Sequence, residues 1–211
     1  MVPNPTFIYH ITSIENLHSI LNNNGLICTN QLNKTGNSFV NIAYEQIQSR
    51  RFEKQVPLPP YGNLHDYVPF YFAPRSPMLF TINQGNVPQF QGGQKPIIYL
   101  VSTVQLVISK KIPFVFTDGH AIMSYSDFFN DPGELEEIDW GIMTSRYWSD
   151  TTEYPDRKRK RQAEFLAFEF FPINSVIEIG VFSDTFQEQG LKVLQSKSIN
   201  IPVNVRREWY Y

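Results

Sequence analysis

A single cysteine, Cys28, occurs in 211 residues, so no intramolecular disulfide and no zinc site with two cysteine ligands can be built. A reducing cytoplasm is the expected compartment. Cys28 itself reads as a small buried hydrophobe, because no histidine or basic residue lies close in sequence to activate its thiol. No run of 18 apolar residues is present, and the opening MVPNPTFIYHITS has neither a basic n-region nor an apolar h-region. Neither a membrane span nor an export signal is expected. Charge is also scarce, at 18% of residues, and 18 Lys and Arg against 20 Asp and Glu leave a net charge of −2. Attachment to nucleic acid by net charge alone is excluded, so any such contact must be a local patch. There is no GxGxxG after a strand and no GxxxxGK[ST], which removes support for Rossmann and P-loop readings. No repeat of 20–50 residues is visible, and the Pro-rich piece Val56 to Pro60 is too short for a linker. A chain of this length buries roughly 70% of its unfolded surface. One domain over 1–211 is the expectation, with no need of a metal or disulfide to hold it.

Aromatic residues are abundant, at 15%, with 17 Phe, 11 Tyr and 3 Trp. Most fill a core, but such rings also stack on bases and nicotinamide. Charge is distributed in blocks: residues 101–156 hold 3 basic and 10 acidic groups, whereas residues 157–211 hold 9 and 6. An acidic stretch therefore runs directly into a basic one.

Phe7 to Ile11 reads as a strand leading into Thr12-Ser13-Ile14-Glu15, a capping box that starts a helix with Ile14, Leu17, Ile20 and Leu21 on one face. Asn24-Gly25 supplies its left-handed stop. A second helix is expected over Ser38 to Lys54, with Val40, Ala43, Tyr44 and Ile47 inward and Arg50 and Arg51 near the C-terminal end, where cations suit the macrodipole. Val68 to Phe72, Ile97 to Ser102, Phe114 to Thr117, Ala163 to Phe170, Val176 to Val181 and Pro202 to Val205 read as strands. Helices are expected around Ser124 to Phe129 and from Thr185 to Gln195. An α+β domain on a curved, mostly antiparallel sheet fits this order better than βαβ alternation.

Four constellations carry chemistry. Tyr9-His10-Ile11-Thr12 sits at a strand-to-helix junction, where backbone groups can meet a ligand, although a lone histidine there is more often structural. Arg50-Arg51 precedes a loop from Val56 to Asp66; paired arginines at a helix end are usually solvated, yet arginine also grips phosphate bidentately. In Asp66 to Met78, DYVPFYFAPRSPM, prolines punctuate aromatic clusters and lead into a rigid loop carrying Arg75, Ser76 and Met78, a functional loop or a packed corner. Arg157-Lys158-Arg159-Lys160-Arg161 runs straight into an apolar strand that Glu164 opens. Such a run is ordinarily a solvated face. A carboxylate at the head of an aromatic strand either pairs with a nearby cation or faces a cavity.

Taken in order, YHITSIENL, the Arg51 segment, YVPFYFAPRSPML, FTDGHA and KRKRQAEFL resemble the DarT-type DNA ADP-ribosyltransferase toxins from about residue 7 to residue 182. The last thirty residues carry no motif matched to that family. The resemblance implies an ADP-ribosyltransferase-like α+β fold with a curved, mostly antiparallel split sheet and flanking helices. It implies NAD⁺ as donor, no metal, and transfer of ADP-ribose to a base in single-stranded DNA, thymine in the branch carrying this arginine. It also implies a macrodomain-containing antitoxin as partner. By the same resemblance Glu164 is the catalytic carboxylate, near the ribose that becomes oxocarbenium-like. Arg51 shares in catalysis and in NAD⁺ binding, although a guanidinium is a poor literal base and better suits phosphate binding and stabilisation of the thymine anion. His10, Ile11 and Thr12 match positions that hold the nicotinamide end, and Ser19 and Ile27 positions at the adenosine end. Thr35 to Glu53 looks like the element that covers the dinucleotide, and Tyr71 is a candidate, by position, for a second-strand tyrosine.

His120 matches a position at the start of a long loop reaching Glu164 that presents the acceptor. Tyr147, Trp148 and Tyr154 are the aromatics expected to stack on the unstacked base, and Arg157, Lys158 and Arg159 the cations expected to track its phosphates. Two rival readings remain: an ADP-ribosyltransferase acting on protein or RNA, and a non-catalytic single-strand-binding module. The second leaves His10, Arg51 and Glu164 without a task.

Overall fold

The computed structural model describes residues 1–36 and 39–211. Ten strands form among the described residues: β1 Phe7–Ser13, β2 Gly25–Ile27, β3 Tyr67–Tyr71, β4 Ile97–Thr103, β5 Phe114–Thr117, β6 Phe128–Phe129, β7 Glu164–Phe168, β8 Phe170–Pro172, β9 Glu178–Val181 and β10 Val203–Val205. Eight lie in one sheet, ordered β10-β9-β4-β1-β3-β7-β5-β6, and β2 pairs with β8 in a small second sheet. All neighbours are antiparallel except β9 and β10. The helices are α1 Leu17–Asn22, α2 Thr29–Thr35, α3 Glu45–Glu53, α4 Pro77–Asn83, α5 Val104–Ser109, α6 Trp140–Thr144, α7 Arg157–Lys160 and α8 Asp184–Gln195. No helix among the described residues is long and apolar enough to cross a membrane.

The large sheet is almost divided at its centre. β1 matches β4 over seven residues and β3 matches β7 over five, but β1 and β3 share one registered pair, Tyr9 with Tyr71. Pro69 supplies the physical reason. It has no N–H, so β3 cannot donate to β1 there, and the Pro69 carbonyl instead accepts from Nδ1 of His10 at 2.8 Å. The division opens the sheet where Tyr71 faces Glu164 across the β3–β7 ladder.

All seven residues of β4 are buried, and alternate side chains enter different cores. Ile98 and Leu100 join Ile8, Phe70, Phe165 and the apolar face of α1, while Ile97, Tyr99 and Val101 join Ile11, Leu79 and Tyr210. On β7, Phe165 and Ala167 face the first of these cores, which turns Glu164 and Leu166 to the opposite side.

Several sequence expectations are corrected. A 3-10 turn, Ile14–Asn16, precedes α1 and is capped by Ser13, whose hydroxyl accepts from the Glu15 N–H, and Thr12 remains in β1 with its hydroxyl accepting from Asn16. The helix expected over Ser38 to Lys54 is α3, which begins at Glu45 and not near Ser38, a residue outside the described ones; Val40, Ala43 and Tyr44 are irregular chain before it. The expected helix around Ser124 to Phe129 is turns followed by β6. The strand Ala163 to Phe170 is broken at Glu169, which adopts φ 57°, and the chain past it pairs with β2. Pro69 lies within β3 and ends nothing.

Candidate active site

A cavity of about 940 Å³ lies over the division of the sheet. β1 supplies His10, Ile11 and Thr12, α1 supplies Ser19 and β2 supplies Ile27. One wall is the segment from Phe39 through Arg51, and another is formed by His120, Lys158 and Arg159. Glu164 lies at its floor, 2% exposed. The volume is near the upper end of the roughly 300–1,000 Å³ typical of small-molecule sites, enough for an extended dinucleotide.

Both oxygens of Glu164 are engaged. Oε2 accepts from Arg51 Nη1 at 2.7 Å, and Oε1 accepts from the Ala121 N–H at 3.1 Å. The Glu164 N–H donates to the Thr117 hydroxyl at 3.2 Å, which donates in turn to the Gly119 carbonyl at 2.6 Å. The carboxylate thus pairs with a cation and borders a cavity. Its partner is a residue 113 positions away, not a member of the adjoining basic run. Arg51 is 7% exposed and its Nη2 is buried without a partner, a spare guanidinium donor beside the carboxylate. Helix-end electrostatics therefore does not account for Arg51.

The histidines around the cavity are held neutral. Burial pushes His10 down to about 4 despite its bond to the Pro69 carbonyl. Burial likewise lowers His120 to about 4, with Arg51, Arg50 and Lys158 acting in the same direction and Glu164 against it. His65, whose Nε2 meets Gln48 Oε1 at 3.1 Å, is lowered by burial and by Arg51. Burial and the Glu164 carboxylate raise the Tyr71 hydroxyl.

The basic run is largely engaged within the chain. Arg159 is clamped by Asp118 at 2.9 Å and Asp156 at 2.7 Å, Lys160 meets Asp139 at 3.3 Å, and buried Arg161 donates to the carbonyls of Ile142, Met143, Ser145 and Pro74. Arg157 bonds to the Ser145 hydroxyl and the Tyr147 carbonyl. Lys158 is exposed at the cavity wall, and its ammonium has no hydrogen bond among the described residues. The run is therefore not a free cationic stripe. Tyr147, Trp148, Tyr154 and Arg157 lie outside the cavity lining. The Trp148 indole N–H is bound to the Tyr211 hydroxyl at 2.8 Å, while Tyr147 and Tyr154 are exposed.

Sequence reasoning missed Asn16. Its side chain accepts from the Val40 N–H at 2.7 Å and donates to the Val40 carbonyl and the Thr12 hydroxyl, each at 2.9 Å, tying the cavity wall to β1. An amide four residues after Thr12 among the apolar positions of α1 is the signal that identifies it.

The family model for ssDNA thymidine ADP-ribosyltransferase, DarT, matches residues 9–211. The chain belongs to the DarT family. A DNA ADP-ribosyl transferase of Thermus sp. (strain 2.9) is 46% identical over 99% of this chain and 98% of its own length. The fold also matches solved structures of Thermus sp. 2.9 DarT. One, in complex with ADP-ribosylated ssDNA, gives a TM-score of 0.94 at 44% identity, covering 100% of this chain and 99% of that one. Another, in complex with NAD⁺, gives 0.88 at 42% identity, covering 100% of both. A Thermosipho africanus relative is a DNA ADP-ribosyl transferase–DNA ADP-ribosyl glycohydrolase fusion protein, 27% identical over 79% of this chain and 40% of its own length. The DarT match extends to the C-terminus, past the Phe182 at which the recognisable sequence blocks end. Tyr210 donates to the Ile97 carbonyl and Tyr211 to that of Arg75, so those last residues complete the core rather than the cavity.

Proposed function

We propose that this chain transfers ADP-ribose from NAD⁺ to thymine in single-stranded DNA, releasing nicotinamide, with residues 1–211 acting as one catalytic domain in the cytoplasm. The observation that carries this reading is the buried Arg51–Glu164 pair at the floor of a dinucleotide-sized cavity. Cleavage of the nicotinamide–ribose bond builds positive charge on the sugar, and a fixed carboxylate in a water-poor site stabilises that charge. Glu164 takes this role. Its two hydrogen bonds orient it before substrate arrives, so little reorganisation is needed at the moment of bond cleavage.

His10, Ile11 and Thr12 hold the nicotinamide end, and Ser19 and Ile27 the adenosine end. The unpartnered Nη2 of Arg51 is available to an oxygen of the donor or of the base. Single-stranded substrate avoids the unstacking cost of a few kcal/mol that a paired base carries. Lys158 meets the strand's phosphates, whereas Arg159 holds the wall together. The fused glycohydrolase of the Thermosipho relative supports a macrodomain partner that reverses the modification.

Incubation with NAD⁺ and equimolar oligonucleotides with and without thymine tests the reading. Mass spectrometry should show one ADP-ribose on the thymine strand with equimolar nicotinamide release and none on the thymine-free strand. Labelling of RNA or lysate protein in preference to the thymine strand would refute it.

A further inference from the structure

The corner between β3 and α4 is held from several sides. Arg75 adopts φ 56°, in the left-handed region that a residue with a Cβ occupies only where its surroundings enforce it. Its N–H donates to the Tyr99 hydroxyl at 3.3 Å, and its carbonyl accepts from the Tyr211 hydroxyl at 2.6 Å. The Pro74 carbonyl accepts from Nη2 of buried Arg161 at 2.7 Å. α4 starts directly after this corner and sends Pro77, Met78 and Thr81 to the cavity. The corner is thus a fixed point beside the site.

The long connection from β6 to β7 is fastened to the same corner at two places. Nη1 of Arg161 donates to the carbonyls of Ile142, Met143 and Ser145. Further along, the Trp148 indole N–H donates to the Tyr211 hydroxyl at 2.8 Å. That hydroxyl directs its one proton to the Arg75 carbonyl, with the Ser76 carbonyl at 3.3 Å, so a single oxygen joins the connection to the corner. The rest of Tyr211 is equally fixed. Its ring lies edge-on to Phe80 at 5.1 Å and 4.6 Å from the Arg75 guanidinium, its N–H donates to Gln94 Oε1 at 2.9 Å, and its carbonyl accepts from the Gln94 amide. Two residues past Trp148, Asp150 reaches the cavity rim, where its Oδ1 accepts from the Lys158 N–H at 2.8 Å; Pro155 and Asp156 line the same rim. The rim segment 150–158 therefore hangs from Trp148.

We propose that Tyr211 is a positioning residue for the acceptor strand: through Trp148 it holds the rim segment 150–158 where single-stranded DNA docks, and it sets the affinity for that strand and not the cleavage of the donor. This rests on the reading of single-stranded DNA as acceptor. The bonds that orient Glu164 come from Arg51, Ala121 and Thr117, and none passes through Trp148 or Tyr211. Donor cleavage is therefore insulated from this link. A rim released from its anchor has to be ordered again each time a strand binds, and that cost falls on binding.

The test is steady-state transfer to a thymine-containing single-stranded oligonucleotide at saturating NAD⁺, by the full chain carrying Tyr211→Phe, Trp148→Phe or both, with folding checked by thermal unfolding. Tyr211→Phe keeps the ring against Phe80 and Arg75 and removes only the hydroxyl. It should raise the oligonucleotide KM about five- to tenfold, the size of one lost hydrogen bond and a reordered rim, and leave kcat and the KM for NAD⁺ within about twofold. Trp148→Phe should raise the oligonucleotide KM by a similar factor and the double variant no further, because each change removes the same link. Factors that multiply in the double variant would overturn the proposal, since Trp148 would then act on the strand independently of Tyr211. An unchanged oligonucleotide KM in Tyr211→Phe would overturn it too, as would a fall in kcat as large as the rise in KM, the mark of a general loss of structure. Should Tyr211→Phe not fold, Gln94→Leu, which removes the two backbone bonds of Tyr211 and leaves its hydroxyl, should raise the oligonucleotide KM alone, and an unchanged value would refute the role. Absence of wild-type transfer to any DNA refutes the acceptor reading and the positioning role together, whereas a competent wild type with insensitive variants refutes the positioning role alone.

Discussion

Glu164 commits one oxygen to Arg51 and the other to the Ala121 N–H, so its substitution affects stability as well as chemistry. Removing the carboxylate leaves a guanidinium that is 7% exposed without a countercharge, and truncating one partner of a buried pair typically costs about 3–5 kcal/mol. Glu164→Ala should therefore lose transfer and also unfold at markedly lower urea concentration. Glu164→Gln keeps an oxygen for Arg51 and an amide of the same shape, so it should be destabilised less while transfer still falls by at least about 100-fold. Restoring the uncharged balance with Arg51→Met in the Glu164→Gln background should recover part of the stability and none of the transfer. Urea midpoints that are equal for Glu164→Ala and wild type would show that the pair is not formed in solution.

At the scale of elements, α7 and the turn at Gly119 act as one unit. A side chain at Gly119 would collide with the guanidinium of Arg159, which Asp118 and Asp156 hold in place. Arg159→Ala should cost about 2 kcal/mol, the range of charge-assisted hydrogen bonds, and reduce transfer through the displaced turn. Lys158→Ala should leave the unfolding midpoint unchanged, weaken DNA binding and lower its log–log salt slope by about 1. Equal loss of stability in the two variants, or an unchanged salt slope for Lys158→Ala, would refute this division. The sequence makes the two residues look alike because they are neighbours in a run of cations, and the aspartates that separate them in function are distant from Arg159 or bracket it in ways no spacing rule reports. Strands were more legible than helices for a related reason. Alternation and β-branching are local properties, so β4, β5 and β10 match the sequence reading within a residue or two, whereas the stretch from Ser124 to Phe129 holds no strong helix former and takes its shape from distant partners, the Asp127 N–H donating to Asp118 and Phe128 and Phe129 pairing with β5. The break at Glu169 is likewise set by partners, since its N–H goes to Asp66 and its carbonyl to Cys28. For the candidate site, the resemblance supplied the names, but the Arg51–Glu164 pair spans 113 residues and was readable only once the chain was folded.

Across the whole molecule, three histidines from three separate segments, one in β1, one just before β3 and one after β5, converge on one cavity, and burial holds each below its ordinary pKa. The sign of the resulting pH dependence follows from proton counts. Between about pH 6.5, where an unfolded imidazole titrates, and about 4, where His10 and His120 titrate in the folded chain, the unfolded state binds more protons. Stability contributed by these neutral rings is complete above pH 6.5 and lost as pH falls through that window. From pH 6 to pH 5 each of the two accounts for roughly 1 kcal/mol, before carboxylates of ordinary pKa begin to protonate in number. The urea midpoint of the wild type should therefore drop over that single unit, and His10→Gln combined with His120→Gln should flatten the drop, leaving the smaller part due to His65. On the proposed function NAD⁺ is a ligand of the folded state, so saturating NAD⁺ should raise the midpoint at both pH values, and by less at pH 5, where protonated rings oppose the pyridinium charge. A wild-type midpoint that is level from pH 6 to 5 would mean that the imidazoles take up protons in the folded chain, and the cavity would then carry positive charge against a cationic donor.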